Sequence, residues 1–147
     1  TPTIVMHPAD ATATTGSHPA LVSRATGVGQ LSLTWQSSND GTNWSSVNGA
    51  QPFVIASRFA QYDKTSRKWL KDADGSWCFI TPQGLLIRRG KRMQLNESFF
   101  TNPDLLVGAT ILPFANAQSS DSGQYRLKAS NIAGDVFSNP ASLTVGN

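Results

Sequence analysis

The stretch D-S-G-Q-Y-R-L, Asp121 to Leu127, decides the fold. Asp121-Ser122-Gly123 is a turn cluster, and Gln124 to Ala129 reads as the strand that follows it. A tyrosine at the mouth of such a strand buries its ring, and its hydroxyl then needs a partner. The turn just upstream supplies one. Two residues later stands the apolar Leu127.

The rest of the chain suits strands. It has 147 residues, enough for one domain with a sizeable elaboration. Only 14% of residues are charged and 39% are hydrophobic, which argues against long solvated helices. Twelve glycines and eight prolines punctuate short apolar runs. A formal charge of +3 is too small to imply nucleic-acid or membrane binding unless it is clustered. No apolar run approaches the roughly 18 residues that span a bilayer. Cys78 is the single cysteine, so no intrachain disulfide can form. In the run Trp77-Cys78-Phe79-Ile80 it reads as a small buried hydrophobe.

Working outward from Tyr125, the sequence predicts strands at Thr3 to Met6, Ala20 to Ala25, Leu31 to Trp35, Ala109 to Phe114, Gln124 to Ala129 and Val136 to Val145. Asn39 to Asn43 is a turn, and Trp44 and Val47 suggest a partner strand beyond it. Pro113 would confine its strand to an edge or a strand end.

These pieces fall in a known order. Ser23-Arg24-Ala25-Thr26-Gly27, Trp35 twelve residues later, the D-x-G-x-Y corner at Asp121 to Tyr125, and Ala129-Ser130-Asn131-Ile132-Ala133-Gly134 resemble an immunoglobulin-like domain. The pairing of an Asn/Asp-Gly turn with two tryptophans, in W-Q-S-S-N-D-G-T-N-W from Trp35 to Trp44, resembles modules of tailed-phage virion proteins and bacterial surface proteins. The resemblance implies an all-β sandwich in which Trp35, Tyr125 and Leu127 pack the core. Ser23 and Leu127 stand where the family carries its paired cysteines. A core without that bridge suits folding in a reducing compartment such as the bacterial cytoplasm.

Trp35 and Tyr125 are 90 residues apart, too far for a compact domain of about 100 residues. Residues 1–50 and 105–147 therefore form the sandwich, and 51–104 a β-rich insertion. Ser76 to Thr81 and Leu85 to Arg88 flank a Pro82-Gln83-Gly84 turn and predict a hairpin. Trp69 to Lys71 would pair with it across Asp72 to Gly75. The insertion carries nine cationic and five acidic residues, net +4, and the framework three and four, net −1. Arg88, Arg89, Lys91 and Arg92 are the candidate partner-docking residues. They fit an electrostatic surface for an acidic partner. They equally fit a basic edge that blocks sheet-to-sheet aggregation. Lys64 to Lys71 fit the second role better.

Motifs of catalysis are missing: the sequence has no G-x-S-x-G, H-E-x-x-H, P-loop or C-x-x-C. Asp72-Ala73-Asp74-Gly75 resembles the start of a calcium loop but lacks the closing glutamate, and reads as a turn. No cofactor or metal is expected, and no enzymatic activity.

The resemblance implies a structural protein of a tailed-phage virion, made in the bacterial cytoplasm. Capsid decoration through the insertion comes first and a tail component second. The partner would be a capsid or tail protein within a homo-oligomeric or icosahedral assembly, with host cell-surface glycan as a further partner class. A bacterial adhesin module binding glycan or protein is the alternative. Nucleic-acid binding, with Trp69, Trp77 or Phe79 stacking on bases, is the third reading. Those aromatics are expected instead to fill the core of the insertion.

Overall fold

The computed structural model describes residues 1–47, 52–59, 68–95, 99 and 102–146. Fourteen strands run through them: β1 (Thr3–Met6), β2 (Ala11–Thr14), β3 (Ala20–Thr26), β4 (Ser32–Ser38), β5 (Ser45–Ser46), β6 (Phe53–Phe59), β7 (Lys68–Asp72), β8 (Trp77–Ile80), β9 (Leu85–Arg88), β10 (Lys91–Gln94), β11 (Thr110–Pro113), β12 (Gly123–Asn131), β13 (Gly134–Phe137) and β14 (Ala141–Gly146). One sheet has the order β1-β3-β11-β6-β7-β8-β9-β10. The other has the order β2-β14-β12-β4-β5, with β13 paired to β12.

The corner at Asp121 forms as its sequence dictates. The Tyr125 hydroxyl donates to the Asp121 carbonyl. The Asp121 carboxylate in turn accepts the Gln118 amide at 2.8 Å, closing the short 3-10 turn Ser119–Asp121. The Tyr125 ring meets Phe114 edge-on at 5.4 Å. Leu127 is fully buried and lies opposite Trp35 in the β12–β4 register. Trp35 places its indole N–H on the Thr110 hydroxyl at 3.2 Å. Ser23 is also fully buried, and its hydroxyl donates to the Met6 carbonyl at 2.8 Å. An apolar contact and a backbone hydrogen bond thus occupy the two positions of the family's bridge.

One predicted strand divides, and one strand is not foreseen. Val136 to Val145 divides into β13 and β14 at Ser138–Pro140. There Ser138 exchanges bonds with Leu127, its amide donating to the Leu127 carbonyl and its hydroxyl accepting the Leu127 amide, both at 2.8 Å. β2 goes unpredicted because Ala-Thr-Ala-Thr is weakly hydrophobic. It runs parallel to β14, so the chain crosses between the sheets after β1. Pro113 sits at the end of β11, where it has no further ladder bond to donate.

β3 and β11 each face two interiors. Leu21 and Ala25 of β3 and Leu112 of β11 enter the sandwich core with Trp35, Phe114, Tyr125, Leu127 and Leu143. Val22 and Ile111, on the opposite side of the pleat, enter a second core with Phe53, Ile55, Leu70, Cys78, Ile80, Leu86, Met93 and Leu106. That explains why β3 and β11 read as nearly continuous buried runs rather than alternating ones.

The second core belongs to the extra strands. β6 pairs with β11 at Phe53 and Val54, bulges after Ile55, and continues against β7. Strands β7 to β10 follow as an antiparallel meander. The Gln94 amide then bonds the His18 carbonyl at 2.7 Å, just before β3 begins. The sheet thereby curls back toward its own start. Each fully buried Leu or Ile inside contributes about 1.5–3 kcal/mol.

Candidate docking surface

Two tight turns meet at one end of the meander. In the first, one Asp72 carboxylate oxygen accepts the amides of Asp74 and Ser76, both at 2.9 Å. In the second, Arg89 (φ 54°) and Gly90 (φ 78°) are both left-handed, as a two-residue hairpin demands. Arg89 stands where asparagine or glycine is usual, at a cost of about 1 kcal/mol.

This geometry brings Arg88, Arg89, Lys91 and Arg92 to one end but gives them different roles. Arg88 is nearly buried, at 12% side-chain exposure, and is ion-paired to the wholly buried Asp72. Its Nη2 reaches Asp74 at 3.1 Å, and its guanidinium stacks on Phe53 at 4.2 Å. Arg88 is therefore committed to the second core. Arg89 is 55% exposed and steadied by Ser76 at 3.0 Å and Asp74 at 3.5 Å. Lys91 and Arg92 are exposed and form no ion pair with a described residue.

Asp72 stays ionised. Burial works to raise its carboxyl, but the Arg88 bond, the Ser76 amide, the Arg88 charge and the Asp74 amide outweigh it and hold the group below the usual carboxylate value. Cys78 lies beneath, 1% exposed. Burial, with the Asp72 charge behind it, pushes its thiol up to about 12, so it is no nucleophile at neutral pH.

The aromatics expected to fill this core lie outside it. Leu70, Cys78, Ile80 and Leu86 point inward, so Trp69, Trp77 and Phe79 take the opposite face. Trp69 and Phe79 rings lie 5.0 Å apart, while Trp77 is 46% exposed with Lys71 Nζ 5.2 Å from its ring centre. Phe79 pairs with Ile87, and Ile87 with Arg92. A row of aromatic, aliphatic and cationic side chains thus crosses the outer face. Alternation in the sequence reveals the two faces but not which one turns inward. Of the neighbouring cations weighed with this segment, Lys64 and Arg67 lie outside the described residues.

Other polar groups are absorbed by the framework. His7 Nδ1 accepts the Asn139 amide at 2.9 Å, and His18 Nδ1 meets the Ala115 carbonyl. Both line a cleft of about 870 Å³ between the β1–β2 connection and the end of β10. Among the described residues no three His, Cys, Asp or Glu gather as a metal site would require.

No protein-family profile matches the sequence, and no curated protein matches it. Solved structures do match in shape. The titin M3 domain superposes with a TM-score of 0.52 at 16% identity, over 99% of this chain and 97% of that one. A chimeric titin Z1Z2 gives 0.53 at 17% identity, over 99% and 95%. A titin M10–obscurin-like 1 complex gives 0.54 at 15%, again over 99% and 95%. The sandwich is immunoglobulin-like. At these identities the likeness concerns the fold alone. This immunoglobulin-like sandwich has no disulfide, because its one cysteine, Cys78, lies in the second core.

Proposed function

We propose that the chain is a non-enzymatic docking module of a tailed-phage particle, seated on an acidic protein surface through its inserted strands. Capsid decoration is the setting this reading favours, and a tail surface the second. One observation carries it. The strands that present Arg89, Lys91 and Arg92 stand on a core of their own, which shares β3 and β11 with the sandwich. A cationic tip held this rigidly binds without a large ordering cost. Its outer face adds tryptophan and arginine, the residue types that dominate binding hot spots.

The test is particle binding. The protein should co-purify with particles in stoichiometric copy number, and binding should weaken as salt rises. The double variant Lys91→Glu/Arg92→Glu should lower affinity for particles at least about tenfold, with no change in melting temperature beyond a degree or two. Recovery of the protein solely in soluble lysate would sink the proposal, as would unchanged binding by the double variant.

A further inference from the structure

The solvent face of the other sheet holds a second, differently built cation. Arg126 of β12 lies between two aromatic rings, 4.2 Å from the centre of Trp44 and 4.1 Å from that of Phe137. Its Nε donates to Gln36 Oε1 at 2.8 Å, across the β12–β4 pairing. Three side chains from β4, β13 and the turn before β5 thus fix the guanidinium plane. Neither Nη has a partner among the described residues. Among the described residues no buried polar side-chain atom is left without one, so both Nη groups reach water.

No carboxylate of a described residue pairs with this charge. Asp40 spends its oxygens on the Thr42 and Asn43 amides, the Asn43 side chain and the Ser38 hydroxyl. Asp135 lies 3.8 Å from Lys128. Residues 48–51, which follow β5, are Asn-Gly-Ala-Gln and contain no acid. Arg88 supplies the contrast within the same molecule. It too stacks on an aromatic ring at 4.2 Å, but it holds Asp72 and Asp74.

We propose that Arg126, clamped between Trp44 and Phe137, is a receptor for a carboxylate side chain of a partner protein. A guanidinium with one edge free offers two parallel N–H donors, the fork that a carboxylate fits. The clamp has already fixed the side chain, so little rotamer freedom is lost on binding. The rims of Trp44 and Phe137 flank that edge and suit the methylenes of a glutamate. The ring faces meeting the site are taken by the guanidinium, which leaves them unavailable for stacking a sugar. The site lies on the sheet opposite the one bearing the basic tip, and it does not depend on the docking role proposed for that tip.

The test is an NMR titration of the full chain with acetyl-Ala-Glu-Ala-amide, following the Arg126 Nε–H and Trp44 indole signals. Both should shift and approach saturation at roughly tens of millimolar, which one charge-assisted pair supports. The glutamine counterpart should leave them in place. Arg126→Lys should weaken binding about fivefold or more, because lysine gives a point charge without the fork. Phe137→Leu, at a position 42% exposed, removes one clamp without emptying a core and should also weaken it. Lys91→Glu/Arg92→Glu should leave it unchanged. The proposal is overturned if the glutamine peptide shifts the signals equally, if no shift appears, or if Arg126→Lys and Phe137→Leu both bind normally. Loss of binding in Lys91→Glu/Arg92→Glu would assign the carboxylate to the basic tip instead. Tighter binding of glucuronate than of the glutamate peptide would make the face a glycan site and overturn the proposal equally.

Discussion

The sandwich core and the second core share β3 and β11 but are filled with different chemistry. The sandwich holds Trp35, Phe114 and Tyr125, and the polar ends of Trp35 and Tyr125 are bonded to Thr110 and to the Asp121 carbonyl. The second core holds Phe53 among the aliphatic Ile55, Leu70, Ile80 and Leu86, with a sulfhydryl and an ion pair, and the neighbouring Trp69 and Trp77 face outward. Two sheets packed about 10 Å apart leave room for large rings. The sandwich core is packed mainly by rings whose polar ends are bonded, and the second mainly by aliphatics around Phe53, with Trp69 and Trp77 on its outer face.

The comparison breaks most sharply at Arg88. Arg88→Met leaves the wholly buried Asp72 carboxylate without its cation and should cost about 3–5 kcal/mol. Hydrogen exchange should show β7 to β10 opening first, with β12 and β4 still protected. Uniform loss of protection across both sheets would mean that the two cores unfold as one unit. The same pair sets an acid limit. Asp72 has a folded value below its unfolded one, so its stabilisation is complete above the ordinary carboxylate range. It is lost as pH falls through the depressed value. The wild type should therefore lose protection in the meander below about pH 4 before the sandwich responds.

A gentler cut compares Leu127→Ala with Ile80→Ala. Both residues are fully buried, and each truncation should cost about 3 kcal/mol through lost burial and a residual cavity. Denaturation followed by the Trp35 and Trp77 environments separately sharpens the contrast. Ile80→Ala should advance the Trp77 transition more than the Trp35 transition, and Leu127→Ala the reverse. Identical shifts in both variants would show that β3 and β11 couple the two interiors completely.

How much of this was legible depended on range. The tyrosine corner is local, four residues from acceptor to donor, and Asp121 to Tyr125 carries it whole. Trp35 and Leu127 follow from their spacing in a resembling family. The hairpins of the β7 to β10 meander are readable from Pro82-Gln83-Gly84 and Asp72 to Gly75, since turns are short-range devices. The pairing of β6 with β11 was not, because nothing near Phe53 encodes a partner more than fifty residues away. Arg88 looked like a surface cation because its neighbours are Arg89, Lys91 and Arg92. Its partner Asp72 lies two strands away and comes within reach only once the registers of both hairpins are combined. Arg126 gave no signal at all, since Trp44 and Phe137 approach it from opposite directions along the chain.

The smallest of these effects isolates the corner itself. Tyr125→Phe keeps the ring against Phe114 and removes only the hydroxyl that bonds the Asp121 carbonyl. A neutral hydrogen bond of this kind contributes about 1 kcal/mol net, far less than either core truncation. Its mark should be clearest in alkali. Burial, with the Asp121 charge behind it, raises the Tyr125 phenol to about 12. The protonated phenol therefore stabilises the fold fully below the unfolded value near 10, and that contribution disappears as pH rises through the folded value. Urea denaturation at pH 8, 10 and 11 should show wild type losing its lead over Tyr125→Phe as the pH climbs. A lead that stayed constant to pH 11 would mean that the hydroxyl senses neither the burial nor the charge, and the corner would then be held by the ring alone.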